Sequence, residues 1–217
     1  MIQETAASTL SALSSYPNAQ SHPRIALYRE TLKTAYNLSS KKFPQSNESL
    51  YKRLIKEKAA LRPINPVVDF YNSVSLKYGV TAGAFDLGEL QTRSIKPLEL
   101  RISGPGDTFR ALDADADAQA VAVGEGEVIY AQDRTVLTRH LAWRQAKEGL
   151  VKDETRNVFF MSEIFEENEA TEPTDLAKQV AEELVQGLKK FFGVESQARI
   201  LGQGTGILEV DVENAFY

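Results

Sequence analysis

Apolar residues recur at helical spacing through the first third of the chain and alternate through its middle, so helices should precede strands. In 22–38, Ile25, Tyr28, Leu32 and Tyr36 fall on one stripe, which predicts a helix. Ser39 to Ser49 is polar, carries Pro44 and reads as a loop. Leu50 to Leu61 returns to helical spacing, with Leu50, Leu54 and Ile55 inward and Lys52, Arg53 and Lys56 outward. Pro63 and Pro66 interrupt the pattern. Pro66 suits the first turn of a following helix, where its missing N–H leaves no bond unmade. In that helix Val67, Phe70, Tyr71, Val74 and Tyr78 share one side, and Asp69, Asn72 and Ser73 share the other. Gly79 is placed to close it in the left-handed conformation. Val67, Phe70 and Val74 should therefore pack on a sheet, leaving Asn72 near a cavity.

Leu98 to Ile102 alternates as a strand, Gly104-Pro105-Gly106-Asp107 is a turn, and Thr108 to Leu112 is placed to pair back across it. Val128 to Ala131, Val136 to Leu141 and Val158 to Ile164 are further strand candidates. The acidic segment Glu166 to Asp175 leads into a helix at Leu176 to Phe192, with Ala177, Val180, Leu184, Leu188 and Phe191 inward. Ala198 to Leu201 and Ile207 to Val212 read as two last strands. Strand–helix alternation in long series is absent, which disfavours a doubly wound parallel sheet. The expected class is α+β: a mixed or antiparallel, sandwich-like sheet core covered by a helical layer. Residues 1–62 should form a basic helical segment packed on the same domain as the core at 63–217.

Composition narrows the function classes. The chain has 217 residues, 42% of them hydrophobic and 25% charged, as ordinary globular proteins do. With no cysteine, disulfides, thiolate catalysis and zinc–thiolate sites are excluded. The opening MIQETAASTL lacks a signal peptide's basic and apolar regions, and no apolar run is long enough to span a bilayer. A soluble, cytoplasmic protein with no membrane partner is expected. The net charge of −5 argues against indiscriminate binding of DNA or other nucleic acid. Residues 1–62 nevertheless hold ten Lys or Arg against four Glu, a basic end on an acidic body. Such an end can steer a polyanion to one face, or can be a solvated surface.

Asp113, Asp115 and Asp117 begin like a calcium loop, but Ala118 stands where the sharp turn needs Gly and Gly124 where a bidentate Glu is needed. Gly202 to Gly206 is glycine-rich, yet a strand pattern rather than a helix follows it, which suits a hairpin turn and not a phosphate cradle. His22 and His140 have no ligand partner at helical spacing, so no metal or other cofactor is expected. G-x-S-x-G is absent. Arg139, Trp143 and Arg144 near a strand end suit stacking of a purine and clamping of a phosphate or carboxylate; a Trp plugging a core edge is the alternative.

The segment NPVVDFYNSVSLKYGVTAGAFDLGEL at Asn65 to Leu90, with LTRHLAWRQ from Leu137 and DETRNVFFMSEIF up to Phe165, resembles the tRNA-editing domain of the bacterial phenylalanyl-tRNA synthetase beta chain. The matching motifs are PVVD at Pro66 to Asp69, Asn72, AFDL at Ala84 to Leu87, and ET-x-N at Glu154 to Asn157. In that family the domain hydrolyses the ester joining a wrong tyrosine to the tRNA for phenylalanine. The resemblance implies a pocket between the Asn72–Asp86 and Arg139–Glu163 segments, and a freestanding relative that acts on the aminoacylated 3′ end of tRNA. It has none of the activation or anticodon modules of a synthetase. Two departures mark the pocket. Gly83 stands where the family has a His, and an ungapped match puts the family's pocket Glu at Met161, with Glu163 two residues on and on the same strand face. Leu137 to Gln145 replaces a glycine-rich pocket segment, so tyrosine specificity does not carry over. By this reading Asn72, Ser75 and Asp86 order the pocket, which Gly83 lines. Arg139, Trp143 and Arg144 hold the terminal ribose-phosphate or the amino-acid side chain, and Glu163 orients the water. Lys52, Arg53 and Lys56 contact tRNA phosphates. A silent RNA- or small-ligand-binding module of the same fold is the alternative.

Overall fold

The computed structural model describes residues 2–115, 117–167 and 172–202. The chain forms two compact units, Met1–Phe165 and Glu166–Tyr217.

The first unit opens with four helices: α1 (Ile2–Leu13), α2 (Pro23–Tyr36), α3 (Ser46–Lys56) and α4 (Pro66–Tyr78). Ile2, Ala6, Thr9 and Leu13 form the buried stripe of α1, a helix not among the expected elements because Ala and Thr carry half of that stripe. One apolar cluster joins Ile2, Ala6 and Leu13 to Ile25 of α2, Leu50, Tyr51 and Leu54 of α3, and Leu76 of α4. Tyr51 takes the inward place expected of Ile55, which is 39% exposed, and Tyr36 is likewise exposed. The segment expected as a loop to Ser49 is helical from Ser46. Its polar residues are buried with partners: Asn47 Nδ2 donates to the Gly79 carbonyl at 2.9 Å, and Glu48 meets Arg29 at 2.9 Å and Lys52 at 2.6 Å. α4 forms as its sequence specifies. Asn65 caps it by accepting from Val68 N at 2.9 Å, and Gly79 closes it at φ 68°.

β1 (Gly83–Asp86) pairs antiparallel with β8 (Val158–Met161) as a two-stranded ribbon. Asp86 then caps the short α5 (Leu87–Arg93), accepting from Glu89 N at 2.9 Å. A mixed six-stranded sheet contains β2 (Leu98–Ile102), β3 (Thr108–Phe109), β4 (Val121–Ala122), β5 (Val128–Gln132), β6 (Thr135–Arg139) and β7 (Arg144–Gln145). Its order is β2-β5-β6-β3-β4 with β7 on β6, and β3 runs parallel to β6. The expected pairing of 98–102 with 108–112 does not form. Arg101 folds over the intervening turn onto Asp107 at 2.7 and 2.8 Å, β2 pairs with β5, and β3 goes to β6 and β4.

Alternation along the strands explains the layering. Ile129, Ala131 and Val136 point to one face with Phe109 and Val123, while Tyr130 and Leu137 point to the other and meet Phe85 and Leu90. Phe159 and Met161 of β8 pack on that second cluster. Phe160, between them, faces the opposite way and meets Phe70 of α4 edge-on at 6.2 Å. Helix, ribbon and sheet are thus stacked, an α+β sandwich with the ribbon between.

In the second unit α6 (Asp175–Phe192) is capped by Thr174 and closed by Gly193 at φ 69°. Ala177, Val180, Leu184 and Leu188 are withdrawn from solvent as expected, but Phe191 is 47% exposed. No strand forms at 198–201. The strand expected at 207–212, and the turn at 203–206 before it, lie outside the described residues. Among the described residues no helix is long and apolar enough to cross a membrane.

Candidate functional site

The ribbon brings the two family departures together. Gly83 and Met161 are direct cross-strand partners, and a Cβ built on Gly83 would stand 2.9 Å from Met161 Cε. The thioether end of Met161 therefore occupies the space over the glycine, where a side chain at 83 would displace it.

Two residues further along the same register, Thr81 stands opposite Glu163. Thr81 Oγ1 donates to Glu163 Oε2 at 2.5 Å, and the Tyr130 hydroxyl donates to Oε1 at 2.6 Å. The Glu163 carbonyl accepts from the Tyr28 hydroxyl, and Ser162 Oγ donates to the Thr81 carbonyl at 2.6 Å. The strand itself ends at Met161, but these bonds keep Glu163 on the Met161 side, toward Tyr130. Burial, then the adjacent Glu163 carboxylate, holds the Tyr130 hydroxyl protonated far above the ordinary phenol range. Burial likewise pushes Tyr28 up to about 12. The half-buried Glu163 thus sits among neutral hydroxyl donors. Each carboxylate oxygen keeps a further lone pair for a water. Thr81, Tyr130 and Tyr28 are not among the residues expected from sequence, since no local motif marks them.

The other residues named from sequence take distinct places. Asn72 is 8% exposed on α4, the helix whose Phe70 meets Phe160 of the ribbon. Ser75 is wholly buried and donates to the Val80 carbonyl at 2.6 Å, fixing the turn that delivers Thr81. Asp86 accepts from Thr155 Oγ1 at 2.5 Å, while Asp86 N and Leu87 N donate to the carbonyls of Gly149 and Asn157, each at 2.9 Å. These bonds dock the ET-x-N loop on AFDL, which is why the two motifs belong together.

Arg139, Trp143 and Arg144 also meet. The two guanidinium carbons lie 5.8 and 5.9 Å from the Trp143 ring centroid. Arg139 is committed to Glu127, whereas Arg144 pairs with the exposed Asp113 at 2.5 Å, a solvent-screened bond easily exchanged for a ligand. The next residue, Gln145, reaches the Ala84 carbonyl at 3.4 Å, so β7 adjoins the ribbon beside Gly83. The basic residues of α3 separate. Lys52 is engaged by the buried Glu48, Arg53 is half-buried, and Lys56 is exposed. Two clefts stand out, of about 390 Å³ beside Phe43 and His140 and about 540 Å³ beside Arg110 and Glu148. None of the residues assigned a pocket or tRNA-binding role from sequence lines either. Among the described residues no group of three or more His, Asp or Glu is arranged to hold a metal ion.

A 59-residue stretch is 37% identical to the phenylalanine–tRNA ligase beta subunit of Nitrosospira multiformis, covering 27% of this chain and 7% of that subunit. Residues 34–192, from within α2 to the end of α6, match the family model of the B3/4 domain. The chain belongs to the B3/4 domain family, the domain found in the phenylalanyl-tRNA synthetase beta chain.

Proposed function

We propose that this chain is a tRNA-binding, editing-type domain that hydrolyses, in trans, the ester joining a misattached amino acid to tRNA. The observation that carries the reading is the Glu163 carboxylate, held by Tyr130 and Thr81 two residues beyond the Gly83–Met161 pair and on its side of the ribbon. In the proposed reaction Glu163 orients a water and accepts its proton. The water oxygen bonds the ester carbonyl carbon, the bond to the ribose oxygen breaks, and that oxygen leaves protonated. Asn72, Ser75 and Asp86 hold the walls, Gly83 lines the pocket beneath the Met161 thioether, and Arg144 and Trp143 receive the terminal nucleotide, with Arg139 anchored beside them. Arg53 and Lys56 supply phosphate contacts, and Lys52 does so only by sharing itself with Glu48.

One feature favours the second reading, a silent RNA- or ligand-binding module: both carboxylate oxygens of Glu163 already accept hydroxyls. A screen of the wild-type protein against mischarged tRNAs separates the two. Release of one amino acid well above the spontaneous rate supports hydrolysis; tRNA binding with no release from any of them supports the module. Arg144→Ala should weaken tRNA binding under either reading.

A further inference from the structure

The cleft of about 390 Å³ excludes Gly83, Met161 and Glu163 but adjoins the Arg139–Trp143 pair through Glu127 and Phe43. Its lining comes from the end of α2, the loop after it, the segment 125–128 entering β5, and His140. Its size falls within the roughly 300–1,000 Å³ of small-ligand sites. His140 and Leu141 both adopt left-handed backbone, at φ 46° and 66°, although neither is glycine. Such strain persists only where the surroundings impose it. Here the 2%-exposed Gln45 imposes it: its Nε2 donates to the His140 carbonyl and its Oε1 accepts from Ala142 N, each at 3.0 Å. Leu141 N donates to the Val128 carbonyl at 2.7 Å.

The strained turn assembles aromatic rings. His140 lies on Phe43 with centroids 3.9 Å apart and a tilt of 33°. Trp143 stands edge-on to Phe43 at 4.7 Å. Burial depresses the His140 pKa, keeping it a neutral ring near pH 7 despite Glu127. Arg139 neutralises Glu127, which leaves the exposed Glu125 and Lys42 as the other charged groups lining the cleft. Tyr36, 47% exposed, and the exposed Lys42 supply a second ring and a cation to the same cleft, and Asn37 and Ser39 add hydrogen-bonding groups.

We propose that this cleft binds one unpaired nucleotide, its base on the Phe43 and Tyr36 rings and its phosphate at Lys42. Stacking on aromatic rings beside a cation is how single-stranded nucleic acid is held without pairing. The shared chemistry is a nucleoside 5′-monophosphate, free or within a strand. This proposal does not depend on hydrolysis at Glu163.

Trp143 is the single tryptophan of the chain, so its fluorescence reports on the cleft through Phe43. AMP, ribose 5-phosphate, a short single-stranded RNA and the same RNA in a blunt duplex are titrated against the full chain. AMP and the single strand should change the emission saturably, and ribose 5-phosphate and the duplex should not. Tighter binding of the strand than of AMP assigns the site to RNA; equal affinity assigns it to the free nucleotide. Tyr36→Ala, at a position 47% exposed, should weaken binding roughly tenfold, and Phe43→Ala at least as much. Glu163→Gln should leave it unchanged, so failure here and failure of the hydrolytic reading are told apart. The proposal is overturned if neither AMP nor single-stranded RNA binds at millimolar concentration. It is equally overturned if ribose 5-phosphate binds as well as AMP, or if Tyr36→Ala and Phe43→Ala are without effect.

Discussion

Two carboxylates withdrawn from solvent, Glu48 and Glu163, are satisfied in opposite ways. Glu48, 1% exposed, sits among cations: Arg29 at 2.9 and 3.0 Å and Lys52 at 2.6 Å, with Gln20 at 3.3 Å. Glu163 sits among hydroxyls from Tyr130 and Thr81 and is only half-buried. Full charge compensation leaves Glu48 little to offer a substrate and makes it a clasp between α2 and α3. Neutral donors orient Glu163 without cancelling its charge, which is what a group that positions water requires. The basic first third of the chain thus spends part of its charge internally, on Glu48.

The comparison can be broken at either end. The largest expected effect on folding is at Glu48. Glu48→Ala removes the charge-assisted bonds from Arg29 and Lys52, whose own side chains reach solvent, and should cost about 2–4 kcal/mol in denaturant unfolding. A cost under about 1 kcal/mol would show that the clasp is not structural. At Glu163 the hydroxyls matter less. Tyr130→Phe removes one bond to a charged acceptor and should cost about 1.5–3 kcal/mol in the same measurement. Alkali provides a third probe. Tyr28, Tyr51 and Tyr71 are each pushed from 10.0 up to about 12 by burial, so the native state prefers their protonated form. Their contribution is whole below pH 10 and is lost as pH rises from 10 through 12, by about 1.4 kcal/mol per unit for each ionising tyrosine. Unfolding free energy that stays flat over this window would contradict the burial of all three. The smallest effect is on the exposed Arg144–Asp113 pair, where Arg144→Ala should change stability by less than about 0.5 kcal/mol.

Local chemistry makes some of this legible. Asn65, Pro66 and Gly79 mark both ends of α4, and the alternation in 98–102 and 128–131 marks real strands. The start of α3 is hidden because Gln45, Asn47 and Glu48 are polar yet buried, their partners supplied from elsewhere in the fold. The pairing of β2 escapes a local reading because the turn at 104–107 is closed by an Arg101–Asp107 ion pair rather than by a hairpin. At the site, counting from ET-x-N reaches Glu163, and AFDL itself contains Asp86. Thr81, Tyr130 and Tyr28 lie 82, 33 and 135 positions from Glu163, and only the stacked layers bring their hydroxyls to it.

The central claim is that Glu163 positions a hydrolytic water rather than a fold. Wild type and Glu163→Gln should be compared on the mischarged tRNA that the wild type deacylates, with single-turnover rate and tRNA affinity measured side by side. The expected result is a rate lower by roughly 10²–10⁴-fold in the variant, with tRNA affinity nearly unchanged. Undiminished hydrolysis by Glu163→Gln would contradict it.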